Sequence, residues 1–188
     1  MSLENEEQWG FETKAILKGQ APDPSTGATI LPIYQTSTYT LEGIGKSKGY
    51  CYSRTGNPTR SAAGECLASL EGAQYGFIYP SGIAAIHAMM QQFQAGDHIV
   101  TCEDLYGGAH RLFTQFMNKL GIQYTFVDAR NTENFIGAIQ ENTKLIWLET
   151  PSNHKMHLCD IETITSRVKE INIKRSQKIL VAADNTFA

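Results

Sequence analysis

What the sequence has little of narrows its class. No apolar run approaches the roughly 20 residues that a membrane-spanning helix needs. The first ten residues carry Glu4, Glu6 and Glu7 and no lysine or arginine, the reverse of a basic and then apolar targeting leader. The four cysteines (Cys51, Cys66, Cys102 and Cys159) form no Cys-x-x-Cys pair and no dense framework, so reduced thiols are expected rather than a disulfide scaffold. No Asn-x-Ser/Thr acceptor occurs without an intervening proline. Excess charge of one sign is also lacking: 16 Lys+Arg against 19 Asp+Glu leave a net −3, which gives no reason to expect nucleic acid as a partner. Six prolines and 16 glycines in 188 residues speak against collagen-like or low-complexity chains. A hydrophobic fraction of 41% is enough for a packed core. The expectation is a soluble, cytoplasmic protein.

The chain changes character at about residue 60. Before it, Pro22, Pro24, Pro32 and Pro58 and many glycines give a loop-rich stretch with little periodicity. Beyond it, strand and helix patterns alternate. Thr59 to Leu70 predicts a helix with Cys66, Leu67 and Leu70 on one side, and Gly76 to Tyr79 a short strand. Ser81 is a natural N-cap for a helix from Ile83 to Met90. His98 to Cys102 predicts a strand, Gly107-Gly108 precedes a helix through Arg111, Leu112, Phe113, Phe116 and Leu120 that Gly121 ends, and Ile122 to Val127 is the next strand. A helix over Thr132 to Gln140, a strand over Lys144 to Glu149, a helix over Ile161 to Ile173 and a strand over Lys178 to Ala183 complete the pattern. Strands joined through helices run parallel, with helices covering both faces, so the class is α/β.

In such sheets ligands lie beyond the carboxyl ends of the strands. Ser81-Gly82, Asp104-Leu105-Tyr106, Pro151-Ser152-Asn153 and Asp184-Asn185 fall there. Ser81-Gly82-Ile83 opens a helix, where free N–H groups and the positive end of the dipole suit a phosphate, although simple capping explains such a start equally well. Tyr106 can stack on a planar ring and move a proton, or merely pack on its loop. Asp184 closes an apolar strand, where a carboxylate needs a donor or a positive charge; a protonated heterocyclic nitrogen or a capping role would satisfy it. In Tyr52-Ser53-Arg54 the arginine suits phosphate or carboxylate, and an ordinary surface loop is the alternative reading.

Three other motifs carry no chemistry. Gly45-Lys46-Ser47 resembles the tail of a P-loop, but Thr40 stands where its first glycine belongs. His154, His157 and Cys159 have no second pair at zinc-ligand spacing. Ser81 lacks the Gly-x-Ser-x-Gly frame of a nucleophile elbow.

Six strings in order then carry a resemblance. They are Pro32-Ile33-Tyr34-Gln35-Thr36-Ser37-Thr38-Tyr39, Tyr52-Ser53-Arg54-Thr55-Gly56-Asn57-Pro58-Thr59 and Ser81-Gly82-Ile83-Ala84-Ala85-Ile86, followed by Leu105-Tyr106-Gly107-Gly108, Glu149-Thr150-Pro151-Ser152-Asn153 and Asp184-Asn185-Thr186-Phe187-Ala188. Together they resemble the transsulfuration family of pyridoxal 5′-phosphate (PLP) enzymes: cystathionine γ-synthase, the cystathionine lyases and methionine γ-lyase. The resemblance implies the large domain of PLP fold type I, the aspartate-aminotransferase-like fold, incomplete at its carboxyl end. Residues 1–60 would be an arm reaching a neighbouring subunit, and 61–188 the first part of the cofactor-binding domain.

The same resemblance implies site roles. Asp184 would keep the pyridine nitrogen protonated, so that the ring serves as an electron sink. Tyr106 would stack on the ring and assist proton transfer. Ser81, Gly82 and Ile83 would cradle the phosphate, with Tyr52 and Arg54 crossing to the phosphate of a neighbouring subunit in a homotetramer. Asn153 would lie near the ring hydroxyl and the substrate carboxylate, and Arg54, Tyr106, Arg111 and Asn153 would meet substrate. The implied activity is elimination or replacement at Cγ or Cβ of a sulfur amino acid, of cystathionine γ-lyase or γ-synthase type. Methionine γ-lyase, or a non-catalytic fragment that binds PLP or docks on full-length subunits, are the alternatives.

Two residues depart from the family pattern. His154 stands where a proline usually follows the asparagine, so the backbone at Asn153 is expected to differ. Gly108 stands where methionine γ-lyases carry cysteine, which leans toward a cystathionine enzyme. The lysine that anchors the cofactor in this family lies beyond the matching aspartate, outside this chain. The chain is therefore expected to be the amino-terminal half of an enzyme and inactive alone.

Overall fold

The computed structural model describes residues 8–188. The acidic leader with Glu4, Glu6 and Glu7 and the start of the 1–60 arm lie outside the described residues. The chain forms two compact units, one ending at Tyr79 and the other spanning Pro80–Ala188.

The first unit holds helix α1 (Phe11–Leu17), within the stretch expected to be loop, and helix α2 (Pro58–Leu70). Asn57 caps α2 by accepting from the Thr59 N–H at 2.9 Å and the Arg60 N–H at 3.4 Å, and Pro58 needs no partner at the first helical position. The Asn57 amide also donates to the Tyr34 carbonyl at 3.0 Å, tying two of the sequence strings together. Helix α2 packs with α1, so it belongs to this unit even though the sequence changes character near residue 60.

The buried side of α2 runs through Gly64 and Ala68, while Leu67 is exposed, contrary to the expected face. Glycine explains this. A Cβ on Gly64 would sit 2.6 Å from the Gly76 carbonyl oxygen, so the helix and the 76–79 segment touch backbone to backbone. That segment is extended but unpaired rather than the expected strand, and Phe77 is 75% exposed.

The second unit is a four-stranded parallel sheet. Its elements are α3 (Gly82–Met90), β1 (His98–Cys102), α4 (Gly107–Arg111), β2 (Gln123–Val127), α5 (Thr132–Gly137), β3 (Thr143–Glu149), α6 (Ile161–Ile173) and β4 (Leu180–Asp184). The strand order is β2-β1-β3-β4. The chain leaves β1 toward β2, then crosses back to β3 on the other side of β1. With right-handed crossovers this puts α4 on one face and α5 and α6 on the other. The crevice where the winding reverses lies between β1 and β3.

β1 is buried along its whole length, as are Leu145, Ile146 and Leu148 of β3. Ile86 and Met90 of α3 and Ile164 and Val168 of α6 bury faces at i, i+4 spacing against this cluster. The helix expected through Arg111 to Leu120 begins earlier, as α4 at Gly107, and is broken. After α4 it passes through a π-helical stretch, Leu112–Met117, and a 3₁₀ turn, Asn118–Leu120, before Gly121 closes it at φ 86°. Within that stretch the buried Phe113 ring stacks on Tyr124 at 5.0 Å and meets Trp147 edge-on at 6.0 Å. Two elements also moved by more than one residue at an end. α5 ends at Gly137 rather than Gln140, and the last strand is shifted to Leu180–Asp184, which makes Asp184 part of the ladder.

At the amino end of the sheet His98 is buried. Its Nδ1 lies 2.8 Å from Thr143 Oγ1 and its Nε2 2.8 Å from Thr125 Oγ1, so the ring links three strands, with one hydroxyl donating and the other accepting. Burial pushes the imidazole below its ordinary pKa. The unfolded chain takes up this proton near pH ~6.5 while the fold keeps the ring neutral, so stability holds above that pH and is lost as pH falls below it. Urea unfolding midpoints should therefore drop between pH 7.5 and 5.5, and His98→Gln should flatten that slope. An equal slope in the variant would exclude His98 as its source.

Candidate active site

The carboxyl ends of β1, β3 and β4 meet the amino end of α3, which follows no strand, contrary to the expectation for Ser81-Gly82. Ser81, Gly82, Ile83 and Ile86 of α3 line a cavity of about 280 Å³ together with Tyr106, Glu149, Asn153, Asp184, Thr186 and Phe187. Parallel pairing in register sets the depth of this rim: Trp147 is level with Thr101, and Glu149 is level with Asp184.

Ser81 accepts the Ala84 N–H at 3.2 Å and so caps α3. The N–H groups of Gly82 and Ile83 precede the first intrahelical bond, and a Cβ on Gly82 would meet nothing within 4 Å. The helix thus presents open donors at the positive end of its dipole. Asp184 uses one oxygen for the turn that follows: Oδ1 accepts the Thr186 N–H at 3.1 Å and the Thr186 hydroxyl at 2.5 Å. Oδ2 has no partner among the described residues. Both roles weighed for this carboxylate therefore remain physically available, one per oxygen.

Tyr106 sits at the start of α4, and its ring folds over Gly108. A Cβ on Gly108 would lie 2.4 Å from Tyr106 Cε1 and 2.9 Å from Cζ. The ring position therefore depends on a missing side chain. Asn153 is half-buried and its N–H donates to Glu149 Oε1 at 2.8 Å, while the Tyr106 N–H donates to Glu149 Oε2 at 2.8 Å. Burial raises the Glu149 carboxyl above its ordinary pKa, outweighing those two amides, and the neighbouring Asp184 and Asp104 add to the effect.

Beside the cavity, Asp104 accepts the Ser152 hydroxyl at 2.6 Å and lies 3.5 Å from Lys155 Nζ and 3.4 Å from His157 Nδ1. Burial alone would raise the Asp104 carboxyl, but the Ser152 hydroxyl and the Lys155 charge outweigh it and the group is lowered. The loop between them turns through left-handed backbone at His154 and Met156, both at φ 56°. Proline, with φ near −65°, has no access to that conformation at 154, so the path beyond Asn153 does differ from one that carries proline there.

The expected site residues are not all in one place. Ser81, Gly82, Ile83, Tyr106, Asn153 and Asp184 line the cavity. Arg111 ends α4, is exposed, and is not among the lining residues. Tyr52 and Arg54 belong to the first unit, where the Arg54 guanidinium lies 4.8 Å from the centroid of the Tyr52 ring. Sequence reasoning gave Glu149 no role. Its signal was nonetheless present, because it closes an apolar strand just as Asp184 does.

Comparison with known proteins gives the family. The family model of the Cys/Met metabolism PLP-dependent enzymes matches residues 12–188. The chain belongs to that family. It is 46% identical over 180 residues to a probable cystathionine γ-synthase of Herpetosiphon aurantiacus, covering 96% of this chain and 54% of that protein. It is 42% identical over 176 residues to the cystathionine γ-lyase of Bacillus subtilis (strain 168), covering 94% of this chain and 45% of that protein. Among solved structures, the cystathionine γ-lyase of Lactobacillus plantarum complexed with L-serine superposes with a TM-score of 0.87 at 42% identity, covering 96% of this chain and 45% of that one. The chain spans about half the length of the curated relatives it matches. Among the described residues no helix is long and apolar enough to cross a membrane.

Within this PLP-dependent family, the Tyr106–Gly108 packing makes a direct prediction. Gly108→Ala should swing the Tyr106 ring away from position 108, because backbone and ring cannot both keep their places. The fold itself should be spared or gain up to ~1 kcal/mol, since alanine suits a helix better than glycine. Ring resonances of Tyr106 and a melting curve check this. A Tyr106 ring that keeps its wild-type resonances would contradict it.

Proposed function

We propose that this chain is the cofactor-binding part of a PLP-dependent carbon–sulfur lyase or transferase that acts on cystathionine or a related sulfur amino acid. The observation that carries the proposal is the convergence of the α3 amino end, the Tyr106 ring, the Asn153 amide and the Asp184 carboxylate on one cavity. The residues suit the cofactor. Open donors at Gly82 and Ile83 match a phosphate, an exposed tyrosine plane matches a pyridine ring, and the free Asp184 Oδ2 matches a protonated ring nitrogen. The lining residues include two acidic side chains and no cationic one, which favours a ligand with a positive charge away from its phosphate.

When bound, PLP supplies a conjugated ring that disperses negative charge developing at the substrate's α-carbon. The protein's part is placement and proton handling. Asp184 holds a proton on the pyridine nitrogen, Tyr106 fixes the ring plane and offers its phenol oxygen to a proton, and the Asn153 amide orients a carboxylate or hydroxyl. Gly108 leaves the Tyr106 ring where it lies, in keeping with a cystathionine enzyme rather than a methionine lyase. The arm that carries Tyr52 and Arg54 serves the phosphate of a neighbouring subunit, and Arg111 serves substrate, in a cytoplasmic homotetramer. Among the described residues no lysine lines the cavity, in keeping with PLP held there by non-covalent contacts alone.

Titrating the purified chain with PLP and following tyrosine fluorescence tests this reading. Saturable binding is expected, and borohydride should trap PLP only at scattered surface lysines, each in substoichiometric yield. Asp184→Asn should weaken binding about tenfold, the worth of one hydrogen bond to a charged group. Absence of saturable binding, or equal binding by the variant, would count against the assignment.

A further inference from the structure

We propose that Glu149 is a positioning residue: its carboxylate fastens the loop bearing Tyr106 to the loop bearing Asn153, and so sets the spacing between the aromatic and amide arms of the site. This deepens the PLP reading and rests on it only where the cofactor is used as a probe.

The two loops follow different strands, and Tyr106 and Asn153 lie far apart in sequence. Loops beyond strand ends have few constraints of their own. Here one side chain supplies them, with Oε2 on the Tyr106 N–H and Oε1 on the Asn153 N–H, each at 2.8 Å. Both amides lie at the start of their turns, so fixing them fixes where the following side chains begin.

The arrangement calls for a carboxylate of this length. Glutamine offers one acceptor oxygen, and its amide nitrogen would oppose the other backbone N–H, donor against donor. Aspartate is one methylene shorter and could reach one loop but not both. Glu149 is also 3% exposed and stands level with Asp184 in the ladder, a costly place for an acid that serves no purpose. The Ser152 hydroxyl on Asp104, at 2.6 Å, is a second tie between the same loops, and it is the alternative explanation to be separated.

The experiment uses the ¹⁵N-labelled chain, with Glu149→Gln and, as a comparison, Ser152→Ala. The clamp predicts that Glu149→Gln moves the Tyr106 and Asn153 amide protons upfield, leaves the fold in place, and weakens PLP binding about tenfold. Ser152→Ala should leave both amide protons near their wild-type positions. Should Glu149→Gln not fold, titration of the wild-type chain replaces it: the two amide protons should move together through one midpoint above the ordinary glutamate value. Amides that ignore both the substitution and the titration overturn the proposal, as does unchanged PLP affinity in a folded Glu149→Gln chain that binds PLP. If the wild-type chain does not bind PLP, the cofactor reading fails and the amide shifts alone decide for or against the clamp.

Discussion

The registered pairing of β3 with β1 and β4 is the constraint on which the rest of the site depends. The register shifts once, between His98 and Ile99 of β1, and then holds to the carboxyl ends, so that Cys102, Glu149 and Asp184 deliver their following loops to one rim. A slip of a single residue in β3 would turn Glu149 to the opposite face and bring Thr150 to its place. Buried apolar residues along β1 and β3 oppose such a slip, because it would bring buried side chains toward the wrong layer. Packing energy in the sheet is thus converted into positional accuracy at its edge.

That accuracy matters because the rim collects groups that would not choose each other's company. Glu149, Asp184 and Asp104 are three acids at adjoining strand ends. Each is settled differently: Glu149 by backbone amides, Asp184 by the Thr186 turn, and Asp104 by Ser152, Lys155 and His157. Raised Glu149 and lowered Asp104 show that neighbouring carboxyls can be driven apart by what surrounds them. A site with this acid content favours a bound group with a protonated nitrogen, which agrees with membership of a PLP-dependent family.

Much of this was legible in the sequence, and the failures have physical causes. Parallel βα alternation was readable because buried strands such as His98–Cys102 are short apolar runs bounded by turn residues. Ser81 and Gly121 were readable because caps have side-chain requirements of their own. The segment 76–79 misled because an apolar run scores as a strand whether or not a neighbour exists to pair with it. The π-helical stretch was hidden, since the residues that fill it are ordinary helix formers and only packing of Phe113 against Tyr124 and Trp147 distinguishes the winding. Helix α1 was masked by the glycines and prolines around it. Of the site, the residues with distinctive chemistry were visible one by one. The role of Glu149 was not, because it depends on backbone N–H groups that every sequence has.

The left-handed backbone at His154 bears on how such a loop can change over evolutionary time. A single-base change would be enough to turn a histidine codon into a proline codon, yet here the mutant ring would collide with a conformation it has no access to. The turn after Asn153 and a proline-bearing one are therefore separate solutions to the same connection, because a pyrrolidine ring cannot take the left-handed backbone found here. Passage between them requires the backbone of this turn, left-handed again at Met156, to be rebuilt together with the substitution. A chain that has taken one path is held to it by local stereochemistry.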